Sequence, residues 1–258
     1  MDLKKRKKET VIETIKKVFS LKEDSASHEE IRMRLLDGGK VTGTNMGVLI
    51  CAMIIASVGL NMSSTAVIIG AMLISHIMGS ILASAYASVS ADYSLLRKYV
   101  LGFGLQVAIS ITAAMIYFYL IPIKDPTSEL IARTSPSFFD VLIAFFGRLT
   151  GIIGQTREEK FGTVVPGVAI ATALMPPLCT CGYSIANGRL DMLIGAGYLF
   201  ILNSYFIFLS ASLILSVLKI PKIKEFTEKE WKKRRLRMIR NTLIIIIPSI
   251  IAVFFMIQ

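Results

Sequence analysis

The chain has 258 residues, 53% of them hydrophobic and 18% charged, with a mean hydropathy of +0.63. Ordinary soluble domains carry about a quarter charged residues, whereas several windows here, each about twenty residues long, hold no acid, Lys or Arg, as a polytopic membrane protein requires. The net charge of +11 sits in short segments beside apolar ones, which excludes a nucleic-acid surface in favour of membrane orientation, and three cysteines (Cys51, Cys179, Cys181) inside apolar runs exclude a disulfide framework.

Residues 1–44 form a polar cytoplasmic segment. Positions 4–8 read KKRKK, and Val11, Ile12, Ile15, Val18 and Phe19 follow helical spacing opposite Lys16 and Lys17, predicting an amphipathic surface helix. Ser27 followed by Glu30 predicts a capping box for a second helix that ends near Gly38-Gly39. The first apolar run starts near Met46, too late for a cleavable signal peptide.

Residues 45–258 read as an all-α transmembrane domain of about seven crossings. Residues 46–62 make a short first crossing and 61–64 a tight turn. Residues 65–88 make the second. That stretch lacks any acid, Lys or Arg, and Ala71, Ser75, Gly79, Ala83 and Ala87 would form one ridge of small residues along a helix, suited to close packing or to a homo-oligomer. His76 lies beside the ridge. Residues 99–121 form crossing three, with Gln106 as its strongly polar interior residue, and 122–136 an external loop.

Residues 138–156 are ambiguous, because a short apolar core carries Asp140 and Arg148. Counting decides the matter. Residues 163–187 and 192–218 cross and lead into the basic loop 219–240, with ten basic and three acidic residues; only a crossing at 138–156 keeps that loop inside. With residues 241–257 as crossing seven, 25 basic residues lie on the cytoplasmic side and three outside. The reading is a multi-pass protein of the cell membrane with the N-terminus inside and the C-terminus outside. The basic loop, with Trp231, suits anionic lipid headgroups.

Two segments resemble each other at an offset of 101, AVIIGAMLISHIMG from Ala66 and GVAIATALMPPLCT from Gly167. Each precedes a loop aspartate, Asp92 or Asp191, and a long crossing with one interior amide, Gln106 or Asn203. The topology makes such a repeat inverted, 3+3 with one extra helix. Inverted repeats recur in transporters, whose sites lie near the midplane on broken helices. Pro176-Pro177 is the predicted break in crossing five.

IIASVGLNMSSTAVIIGAMLISHIMG from Ile54, SPSFFDVLIAFFG from Ser135 and PGVAIATALMPPL from Pro166 together resemble domain of unknown function 389, a family of prokaryotic multi-pass membrane proteins. The resemblance spans roughly residues 45–215 and implies the membrane fold. In that family proline usually occupies the position of His76 and often that of Ser80, which weakens a proton-relay role for His76.

Enzyme chemistry finds no support in two histidines, His28 and His76, without an HExxH, GxSxG or phosphate-cradling motif. Cys179 and Cys181 lack the further ligands a metal needs, and no cofactor is expected. Two functions remain. One is a transporter or channel for a small solute or ion, with a midplane site between residues 65–88 and 163–187. Ser75, His76, Gly79, Gln106, Arg148, Pro176, Pro177 and Asn203 are its pathway candidates. Arg148 either snorkels to the surface or attracts an anionic solute. The other is a non-transporting oligomeric scaffold or sensor that engages lipid or a protein partner.

Overall fold

A computed structural model describes residues 25–122, 124–134, 138–157 and 174–223, together with the isolated positions 236, 240 and 244. The basic run at 4–8, the helix read over 11–19, Pro166-Gly167, most of the basic loop and crossing seven lie outside the described residues. Those described are helical, without a strand.

Local chemistry sets the boundaries. Helix α1, His28–Gly38, is capped by the Ser27 hydroxyl, which accepts from the Glu30 N–H at 3.2 Å. Glu30 itself turns to Arg34 one helical turn on, so only half of the predicted capping box forms. Thr42 caps α2, Gly43–Asn61. The turn after it places Ser63 at φ +51°.

The second crossing is two helices rather than one. Helix α3 covers Thr65–Ile74 and α4 covers Ile77–Val89, with a 48° bend between them. At the break Ser75 is extended, and the Ile77 N–H donates to the Ser75 hydroxyl at 3.4 Å. The ridge of small residues is therefore interrupted: Ala71, Ala83 and Ala87 are buried, whereas Ser75 and Gly79 are half-buried at the break.

Asp92 caps α5, Tyr93–Leu120, by accepting from the Leu95 N–H at 2.9 Å. The loop after α5 carries the short α6, Ser128–Ala132. The ambiguous segment is one unbroken helix, α7, Phe138–Thr156, though the side chains of Asp140 and Arg148 lie outside the described set. Helix α8, Met175–Ala186, places Pro176 and Pro177 in its first turn, where a missing N–H costs no hydrogen bond. The prolines thus start a helix here. Helix α9, Leu190–Val217, completes the described set.

Helices α2, α5 and α9 are each long and apolar enough to span a membrane, and α3 with α4 makes a fourth candidate as a bent pair. Such helices mark a membrane protein.

Contacts at the helix ends define two faces. At one face the Ala26 N–H donates to the Thr156 carbonyl, Tyr99 Oη to the Leu36 carbonyl and the Ile223 N–H to the Ser90 carbonyl. This face gathers α1, the starts of α2 and α5, and the ends of α4, α7 and α9. At the other, Thr127 Oγ1 donates to the Leu60 carbonyl and Tyr183 Oη to the Lys124 carbonyl. Here lie α6, the ends of α2, α5 and α8, and the start of α9. Helices α5 and α9 therefore run in opposite directions, as do α2 and α7.

Four helices close a ring in the order α4, α5, α8, α9, with α9 packing back on α4. Helices α4 and α8 sit on opposite corners. Across the other diagonal Phe103 of α5 stacks on Phe200 of α9, ring centroids 5.9 Å apart and planes 15° from parallel. Helix α2 packs outside α5, and α7 outside α9.

Candidate functional site

The break in the second crossing opens into a pocket of about 270 Å³. Ser75, His76 and Gly79 line it from α3 and α4, Arg34 and Gly38 from α1, and Gln155 from the end of α7. His76 is exposed into this space. Irregular backbone at membrane depth is tolerated where it is covered by protein or lines a wet cavity, and the pocket supplies that setting.

Helix α1 forms one wall of the pocket, held by side chains from both halves. A Cβ on Gly79 would overlap the Gly38 carbonyl, and one on Gly39 would lie 2.7 Å from Ala83 Cβ. The Ser80 hydroxyl donates to the Gly39 carbonyl at 3.3 Å. Arg34 donates to the carbonyls of Gln155 and Arg157 at 3.4 and 2.5 Å, and His28 Nε2 meets the Leu218 carbonyl at 3.2 Å. The sequence marked this helix between Ser27 and Gly38-Gly39 but not what it packs against. Its contacts join residues more than forty positions apart.

The remaining candidates fall at the ring. Gln106 lies half-way along α5 and Asn203 half-way along α9, 1% and 5% exposed. Pro176 and Pro177 are buried in the first turn of α8. Helices α5 and α8 touch closely: a Cβ on Gly182 would lie 2.6 Å from Ala114 Cβ, and Phe118 meets Tyr183 edge-on at 5.2 Å. Among the described residues, α4 and α8 do not pack face to face. Each instead packs on the long helices of both halves. Cys179, buried, points its thiol at the Met53 carbonyl, 3.7 Å away.

The turns between α4 and α5 and between α8 and α9 share two hydrogen bonds, a helix-end pattern that the ends of α2 and α9 show as well. The Ser90 N–H donates to Tyr86 O and the Asp92 N–H to Ala87 O; the Asn187 N–H donates to Tyr183 O and the Arg189 N–H to Ser184 O. Ala91 and Gly188 hold the same left-handed conformation, φ +61° and +66°. Corresponding positions are 97 apart, and that spacing also relates Tyr86 to Tyr183, Phe103 to Phe200 and Gln106 to Asn203. That spacing differs by four residues, about one helical turn, from the 101-residue offset read from the sequence. A four-residue slip rotates a helix by only about 40°, so the apolar pattern fits both alignments.

The profile of a family described as domain of unknown function (DUF389) matches residues 72–209, more than half of the chain. The chain belongs to that family. The match takes in the break, α4 through α8 and most of α9, and leaves the α1 strap outside it. A relative of this DUF389 chain, Uncharacterized protein MJ0678 of Methanocaldococcus jannaschii, is 27% identical over 205 residues, which are 80% of this chain. The chain spans 63% of that curated relative's length. No solved structure matches it.

Proposed function

We propose that this DUF389 chain is a transporter or channel for a small solute or ion, built as a 3+3 inverted repeat with one extra helix. The observation that carries the reading is the reciprocal ring. The bent second crossing and the proline-started α8 each begin a helix at depth, each pack on both long helices, and each end in the same turn. Secondary transporters build solute sites near the midplane on interrupted helices of this kind.

The seven-crossing topology adds α7, residues 163–187 and residues 241–257 to the candidate spans. Charge supports the orientation. The face that holds α1 carries Lys40, Arg97, Lys98, Arg157 and Lys219, and the opposite face carries Lys124, Arg133 and Arg189. The N-terminus is then cytoplasmic, and Arg148 lies within a crossing.

Solute flux in proteoliposomes tests the reading. The expected result is flux that falls on Asn203→Ala or Arg148→Ala with folding intact. No flux across a broad panel of solutes and ions would leave the scaffold or sensor role instead. Single cysteines at positions 128 and 229 test the topology separately; labelling of both from the same side sinks it.

A further inference from the structure

A helix stands ahead of the first crossing of each half, α1 before α2 and α6 before α7, and the two lie at opposite faces. Their local chemistry agrees. Ser27 caps α1 by accepting from the Glu30 N–H, and Thr127 caps α6 by accepting from the Leu130 N–H. Each carries a Glu–Arg pair one turn apart, Glu30 with Arg34 and Glu129 with Arg133. The residue after each Glu is a fully buried aliphatic, Ile31 or Leu130.

Caps and ion pairs of this kind are common in helices. What these two helices tie together is more telling. Tyr99 of α5 and Ser80 of α4 donate to the Leu36 and Gly39 carbonyls, fixing α1 to the first half. The Ala26 N–H donates to the Thr156 carbonyl at 2.9 Å, and Arg34 to the carbonyls of Gln155 and Arg157, at the end of α7 in the second half.

Helix α6 does the converse at the other face. Tyr183 of α8 donates to the Lys124 carbonyl ahead of α6, and a Cβ on Gly195 of α9 would overlap the Thr134 carbonyl after it. Thr127 donates to the Leu60 carbonyl at 2.7 Å, at the end of α2, and Thr65 at the start of α3 donates to Glu129 at 3.1 Å. Each strap therefore joins its own half to the other half's first crossing.

Rocking of one half on the other, the usual motion of inverted-repeat transporters, separates the halves at one face while pressing them together at the opposite one. A strap tied to both halves must release when its own face opens. Each tie to the other half is a few hydrogen bonds, small enough to break and re-form. Helix α1 also walls the pocket at Ser75-His76, so its release widens the way in.

We infer that α1 and α6 are a pair of latches, one at each face, that open in alternation and control access to the pathway. The inference rests on the transport reading and adds its regulation.

Cross-links lock the latches one at a time in a Cys51→Ser background, where the remaining Cys179 and Cys181 are buried. Ser25 and Arg157 form an antiparallel bridge between α1's lead-in and the end of α7, a spacing that a disulfide spans. Ser25→Cys with Arg157→Cys locks the α1 latch. Should that pair fail to fold, His28→Cys with Leu218→Cys makes a second tie between α1 and the second half. Thr65→Cys with Glu129→Cys, joined by a short bis-methanethiosulfonate, locks the α6 latch. Amide hydrogen exchange reads the unlocked strap in reconstituted protein, and potassium, chloride and glycerol flux read transport.

Locking one latch removes the states open at its face, so the share open at the other face grows. Exchange across residues 28–38 should rise at least twofold when α6 is locked, and across 127–134 when α1 is locked, each reversed by reduction. Flux should fall at least tenfold under either lock. Exchange in the opposite strap that stays level or slows overturns the latches and makes both straps static braces. Flux that persists under either lock does the same. Absence of flux for every probe, with exchange still rising in the opposite strap, keeps the latches and counts against transport alone.

Discussion

The two inner helices α4 and α8 occupy matching places in the ring and solve the same problem with different chemistry. Each must begin without leaving buried backbone groups unpaired. Helix α8 starts with Pro176 and Pro177, which have no N–H to satisfy, and its first ten residues are all buried. Helix α4 starts after Ser75-His76, where the Ser75 hydroxyl takes up one N–H and the rest of the break faces a pocket walled by α1. A start that carries its own solution can be packed over; one that relies on hydrogen bonding needs polar surroundings and a wall. The strap makes a symmetric scaffold asymmetric.

Five substitutions probe that contrast, from the largest expected effect to the smallest. Gly182→Leu and Gly79→Leu put side chains where backbone or Cβ atoms already lie. Overpacking costs about 1–3 kcal/mol and more where backbone must move. Gly182→Leu should lower the melting temperature of the whole domain, because it separates α5 from α8. Gly79→Leu should chiefly undock α1, read as faster tryptic cleavage at Arg32 and Arg34. Equal effects of both on both readouts would mean that the strap is part of the core.

Arg34→Ala removes the hydrogen bonds to the carbonyls of Gln155 and Arg157 and the pairing with Glu30. A loss of about 1–3 kcal/mol is expected for partly buried charged donors, concentrated in amide hydrogen exchange of α1 and the end of α7. Unchanged exchange there would remove the strap from the account.

The matching turns invite a backbone test. A Cβ on Gly188 would meet no atom within 4 Å, so Gly188→Ala isolates the left-handed strain at φ +66°. Stability should fall by about 1 kcal/mol, the usual cost of that conformation. Ala91 already bears the same strain. Should Gly188→Ala prove neutral, the two turns differ energetically despite their common hydrogen bonds.

The smallest effect belongs to the exposed pair Lys40–Asp37, 2.5 Å apart beside the strap. The hydrogen bond that Lys40 donates to Asp37, and then the charge of Asp37, raise Lys40 above its ordinary value of 10.5. A raised lysine contributes stability that is fully present below 10.5 and is lost as pH climbs through its higher folded value. Melting of Asp37→Asn should therefore trail the parent slightly from neutral pH to about 9 and converge with it at more alkaline pH. A gap that widens with rising pH contradicts the pairing.

Much of the helix layout was legible in the residues. Ser27, Thr42 and Asp92 mark helix starts through their own side chains, and long runs without charge can only be spans or core. Residues 138–156 were read as a crossing from the parity of charge, and α7 is one helix over that segment. The break at Ser75-His76 was not legible, because no proline or glycine occupies it and the hydrophobic pattern passes through unbroken.

By itself the sequence determined a membrane-suited, all-helical chain with two similar segments, because hydrophobicity and capping act over a few neighbouring residues. Only the tertiary structure decided which helices share the ring, that α4 and α8 stand at opposite corners, and that Phe103 meets Phe200 between them. Those facts depend on which small residues meet across long separations. Gly39 against Ala83 and Gly182 against Ala114 carry no mark of their partners in the chain.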